Sequence, residues 1–187
     1  MATPQPQALI LVDVQRSFVE GDTAVPGSER LMAAAARQLA AARRAGALVV
    51  HVQNDGSAET LDEPGTPGWQ LALASADAEL VIRKTGDSAF AGTGLHEVLR
   101  ARAVTEVSVC GLLSEMCVAA TARSAMDLGY GVVLAHDSHA TYAVPGFGDE
   151  PGVPAEMAAR AAEWSLGDEV CIPARSAEIT FRPARAV

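Results

Sequence analysis

EVSVCGLLSEMCVAATARSAMDLGYGVVLAH (residues 106–136) decides the fold of this chain. It opens with an apolar run (106–112) short enough to be a strand. Helix formers follow over 115–128 and stop at Gly129, and a second apolar run fills 131–136. The second run does not alternate apolar with polar residues, and the first does so only over its opening four. Strands of that kind are buried on both faces, as in a parallel sheet with helices on either side.

The pattern extends in both directions. ALILV (8–12) reads as a strand opening directly onto Asp13, and SERLMAAAARQLAAARRAG (28–46) as a helix between a Ser N-cap and a closing Gly. ALVVHVQ (47–53) and ELVIRK (79–84) are further strands, the latter with a basic end. Between them, 54–70 is a long loop rich in Gly, Pro and Asp, and loops of that length are usually functional. Helices are expected over 93–103 and 154–167, with a weak strand at 169–172. The tail from Pro173 has no clear pattern. The expected fold is α/β and doubly wound (Rossmann-like), a three-layer α/β/α sandwich around a mostly parallel sheet of about six strands. One domain over 1–187 is expected, burying roughly 70% of the unfolded surface.

Composition narrows the partners. A net charge of −9 disfavours a nucleic-acid surface, which needs clustered Lys and Arg, and suits cationic ligands better. No window holds the roughly 18–20 apolar residues of a membrane span. MATPQPQ (1–7) has no basic region, and the apolar run after it is broken at Asp13. With an odd count of 3 cysteines, a reduced, cytoplasmic protein is expected.

In an open parallel sheet the C-terminal ends of the strands share one edge, where ligands bind. Asp13 follows the first strand, Lys84 ends the third, and Cys117 lies just past the fourth. Alone, each has an ordinary reading: a turn residue, a solvated cation, a packed thiol. Together they are chemically specific. The carboxylate can take the thiol proton, while the ammonium favours both anions. A helix N-terminus at Cys117 is expected to lower its pKa toward a thiolate. Cys110 and Cys171 read as packing residues.

ALILVDVQRSFVEG (8–21), IRKTGDSAF (82–90) and VCGLLSEMCVAATARSAMDLGYGV (109–132) together resemble the cysteine hydrolases of the isochorismatase-like superfamily, which includes nicotinamidases. The resemblance runs from about residue 8 to residue 142. It implies a catalytic triad of Asp13, Lys84 and Cys117, and a non-proline cis peptide at Leu112–Leu113. Through that peptide the N–H of Leu113 would join that of Cys117 as an oxyanion hole. It further implies a hydrolase that cleaves a C–N bond of a small-molecule amide or lactam through a Cys thioester, and a homo-dimer or homo-tetramer.

Nicotinamidases hold a metal through an Asp-x-His motif and a further His after the second strand. Here HVQNDGSAETLDEPGTPGW (51–69) has His51 inside the strand and no second His, so neither metal nor other cofactor is expected. EPGTPGW (63–69) resembles instead a metal-free group of the superfamily. True isochorismatases usually lack the cysteine, so its presence favours amide over ether hydrolysis. A nicotinamidase-type amidase, an isochorismatase-type hydrolase and a non-catalytic ligand-binding member of the fold remain as alternatives. DVQRSF after the first strand is no glycine turn for a dinucleotide.

Substrate contacts are expected from Phe18, Trp69, Phe90 and Glu115, with Tyr142 a weaker candidate. Glu20, Asp55 and Glu63 are further candidates for a cationic substrate. His139 is the rival base to Asp13. His96 and His136 have no evident partner in the sequence and read as structural.

Overall fold

The strand β1 (Ala8–Val12) is buried along its whole length, flanked by parallel partners β2 (Leu48–Asn54) and β4 (Glu106–Leu112). These elements come from a computed structural model describing residues 4–186; the first three residues of the MATPQPQ segment and Val187 lie outside it. β2 pairs with β3 (Leu80–Lys84), and β4 with both β5 (Gly131–Val133) and the short β6 (His139–Ala140). β7 (Val170–Cys171) pairs with β5. The sheet has 7 strands, in the order β3-β2-β1-β4-β5-β7 with β6 beside β4, and every pairing named here is parallel. β6 is the strand that the sequence reading did not anticipate, and β5 is half the expected length. β3 departs from the expected continuous burial: it is an edge strand, with Val81 45% exposed.

Alternate residues of β1 enter different layers. Ala8, Ile10 and Val12 pack with Leu95 and Leu99 of α3 (Leu95–Ala101) and with Ala119, Ala122 and Ala125 of α4 (Ala119–Asp127). Leu9 and Leu11 pack with Ala35, Leu39 and Ala42 of α2 (Ser28–Ala45). This is the expected three-layer sandwich. The tail also belongs to it, since Ile179 and Phe181 are buried against the α2 side. A short helix not foreseen in the sequence, α1 (Arg16–Val19), follows Asp13. The last helix, α5 (Ala155–Trp164), packs beside β6 and the turn after β4. Among the described residues no helix is long and apolar enough to cross a membrane.

Candidate active site

β1 and β4 are neighbours, but the chain winds outward from them in opposite directions. Ligands of such sheets bind at this switch point, beyond the strand ends. At the end of β1, Asp13 takes up a left-handed backbone (φ 52) and is 3% exposed. Lys84, last in β3, is also 3% exposed. β4 runs into a cis Leu112–Leu113 peptide, as the resemblance implied. A single π turn, Ser114–Val118, then carries Cys117 ahead of α4. Gly111 allows the approach: at φ 132, a Cβ there would lie 1.9 Å from the Val12 carbonyl oxygen.

The three residues converge. Lys84 Nζ donates to Asp13 Oδ2 at 2.8 Å, Cys117 Sγ at 3.3 Å and Asn54 Oδ1 at 3.2 Å, which uses all three ammonium protons. Asn54 is in turn fixed by Gln15, whose Oε1 accepts the Asn54 N–H at 2.8 Å and whose Nε2 donates to the Asn54 carbonyl at 3.0 Å. Asp13 Oδ1 is buried without a hydrogen-bond partner. Buried acceptors are rarely left open, and a reaction coordinate is one reason to leave one. The Leu113 carbonyl accepts from the N–H of Met116 and of Val118, both at 3.2 Å, passing over the Cys117 N–H between them.

Burial pushes the Asp13 carboxyl above the usual carboxylate range, although Lys84 pulls it down. Burial also works against the Lys84 charge, but Asp13 and Cys117 outweigh it and raise that pKa. Burial, and then the Asp13 charge, push the Cys117 thiol up to about 12 against the pull of Lys84. This corrects the expectation of a thiolate held by the helix terminus. The surroundings of Cys117 favour the thiol form, so that a nucleophilic role would need a base to take the proton.

Beside the thiol is a cleft of about 280 Å³, walled by Phe18, Asn54, Thr85–Asp87, Leu112, Leu113 and Met116. Phe18 is thus part of the cleft wall. Trp69, Phe90 and Glu115 do not line it. Trp69 donates its indole N–H to Asp55 at 2.9 Å and lies under the Arg83 guanidinium. Phe90 stacks on Tyr130 in the core, and Glu115 accepts from the Thr141 hydroxyl at 2.9 Å. Among the other candidates, Asp55 is paired with Arg83 at 2.8 Å, Glu63 accepts the Glu59 N–H, and Tyr142 donates to the Thr23 carbonyl.

The histidines are engaged away from the thiol. His139 bridges Ser114 Oγ at 2.8 Å and Glu163 at 2.9 Å, inside the protein. His136 and His96 do have partners, Glu163 and the Tyr130 hydroxyl. His51 is buried against Glu79 at 3.0 Å. Among the described residues no three His, Cys, Asp or Glu side chains are grouped to hold a metal ion. Sequence reasoning missed Asn54 and Asp87. Both are polar residues at or just past a strand's C-terminal end, the signal that picked out Asp13 and Lys84.

An acid–ammonium pair holding a thiol at the switch point of a doubly wound sheet brings together the groups that nucleophilic-cysteine chemistry requires. The chain belongs to the isochorismatase family: the model of the isochorismatase domain matches residues 7–146. It is similar to a streptothricin hydrolase of Streptomyces noursei, 56% identical over 178 residues that cover 94% of this chain and 64% of that protein. The chain thus spans somewhat under two thirds of that relative's length. A ureidoacrylate amidohydrolase of Variovorax paradoxus (strain S110) is 31% identical over 169 residues, covering 70% of this chain and 67% of the relative. The crystal structure of an isochorismatase from Pseudomonas putida KT2440 superposes with a TM-score of 0.87 at 28% identity, covering 96% of this chain and 93% of that one.

Proposed function

We propose that the protein is a metal-independent cysteine hydrolase that cleaves the C–N bond of a small-molecule amide or lactam. The convergence of Asp13, Lys84 and Cys117 in one cleft carries this reading, with Lys84 Nζ 2.8 Å from the carboxylate and 3.3 Å from the sulphur. Relatives named for hydrolysis of streptothricin and of ureidoacrylate support it. So does His51, which spends its ring nitrogen on Glu79 rather than facing the cleft.

In this mechanism Asp13 Oδ1, the open acceptor, takes the thiol proton as Cys117 Sγ attacks the carbonyl carbon. Lys84 stays charged, steadies the carboxylate before transfer and then faces the developing sulphur charge. The N–H groups of Leu113 and Cys117 hold the tetrahedral oxyanion. As the C–N bond breaks, the proton on Asp13 passes to the leaving nitrogen and a thioester remains. Asp13 then deprotonates a water that attacks the thioester carbonyl, and the carboxylic acid leaves as Cys117 recovers its proton.

The test is turnover of a panel of small amides and lactams by wild type and Cys117→Ala. The variant is expected to lose at least about a thousandfold in kcat/KM, and denaturing mass spectrometry of wild type should find an acyl adduct on Cys117. Unchanged turnover by Cys117→Ala would overturn the assignment.

A further inference from the structure

The cleft holds one charge that the proposed chemistry leaves unused. Asp87, three residues past the end of β3, forms part of its wall and is exposed. Its Oδ1 is 3.9 Å from Cys117 Sγ. The other charges at the reacting end are Asp13 and Lys84, which are buried and neutralise each other. Nearby carboxylates are committed elsewhere: Asp55 pairs with Arg83, and Asp62 accepts from Asn54 Nδ2 at 2.6 Å. Among the described residues Asp87 forms no ion pair, so an incoming substrate meets an unneutralised carboxylate at the lip of the site.

We propose that Asp87 is a specificity-determining residue that anchors a cationic group, an ammonium or guanidinium, of the substrate. This rests on the hydrolase reading and adds the substrate class. Geometry bounds the distance between the two groups. An attacked carbonyl carbon sits about 3.3 Å from the sulphur, and a charged N–H bonds a carboxylate at about 2.8 Å. With 3.9 Å between Sγ and Oδ1, the cation lies within about 10 Å of the scissile carbonyl. Charge on the reacting amide nitrogen itself is not required. A side arm on either part of the substrate satisfies the limit.

Two measurements test this. The first compares kcat/KM for two amides that differ only in an ammonium or a hydroxymethyl group within that reach, in wild type and Asp87→Asn. Wild type is expected to favour the ammonium substrate at least about tenfold, with Asp87→Asn losing most of that ratio and added salt eroding it. An equal ratio in both proteins overturns the proposal, and so does a variant that slows both amides alike. The second needs no turnover. It compares Cys117 modification by trimethylammonium-ethyl and by sulfonatoethyl methanethiosulfonate, located by peptide mapping. The cation-to-anion rate ratio should fall in Asp87→Asn; an unchanged ratio counts against the proposal. Retained amide turnover by Cys117→Ala would sink the hydrolase reading alone, while the reagent ratio would still decide on Asp87.

Discussion

Cys117 is governed by two opposed neighbours, and the opposition predicts an unusual variant. The Asp13 carboxylate raises the thiol pKa and Lys84 lowers it, yet the proposed mechanism needs Asp13 as the base. Asp13→Asn should therefore lower the Cys117 pKa, seen as thiolate absorbance in the ultraviolet appearing at lower pH. It should also slow turnover about a thousandfold. Lys84→Met should move the pKa the other way, because the favourable charge goes and the repulsive one stays. If both variants shift the absorbance in the same direction, the electrostatic account is wrong. The convergence of Asp13, Lys84 and Cys117 was legible in the sequence because each ends or follows an apolar run. Asn54 was not, because its role depends on register: it stands opposite Lys84 across β2 and β3. Asp87 depends on the path of the loop after β3, and Trp69, Phe90 and Glu115 were misplaced for the same reason. Position in the chain put them near the strand ends, and packing turned them elsewhere.

Among the elements, β4 and the turn after it carry the most consequence. The sequence reading runs one helix from 115, where the structure has a π turn and then a shorter α4. The apolar periodicity is the same in both, so the pattern could not separate them. Gly111 sits at the end of this strand, paired with Val12 on one side and His139 on the other. Gly111→Ala would press a methyl group into the β1 backbone at a φ that side chains rarely adopt. A loss of about 3 kcal/mol or more is expected by chemical denaturation. A loss under about 1 kcal/mol would mean that β4 can shift off β1 there. β6, only two residues long, is invisible to any periodicity argument, yet it carries His139 to Ser114 at the start of the π turn.

Across the whole molecule, carboxylates far from the cleft contribute to stability in a pH-dependent way. Burial pushes the Glu163 carboxyl up, but the hydrogen bonds of His139 and His136 reverse this and hold it down at about 2, from a usual 4.5. A carboxyl whose folded pKa is depressed contributes stability above its unfolded pKa and loses it as pH falls. This contribution is thus complete above about pH 4.5 and gone near pH 2. Its size is about 3 kcal/mol, for a side chain only 1% exposed. Glu163→Gln should be less stable than wild type at neutral pH by roughly that amount, with the gap closing across that window in pH-dependent denaturation. A gap that does not change with pH would assign the loss to packing instead. Glu79, held down at about 2 chiefly by Arg43, makes the same contribution on the other side of the sheet centre, between β3 and α2.

The sequence by itself determined the class of fold and the convergence of Asp13, Lys84 and Cys117, because buried parallel strands are largely apolar runs and their C-terminal ends must share an edge. Tertiary structure alone decided the electrostatic surroundings of the thiol, the wall of the cleft and the place of the tail. Each of these depends on which groups lie within a few ångströms across strands and loops far apart in the chain. Burial and Coulomb interaction act over that distance through space, and spacing along the chain does not encode it.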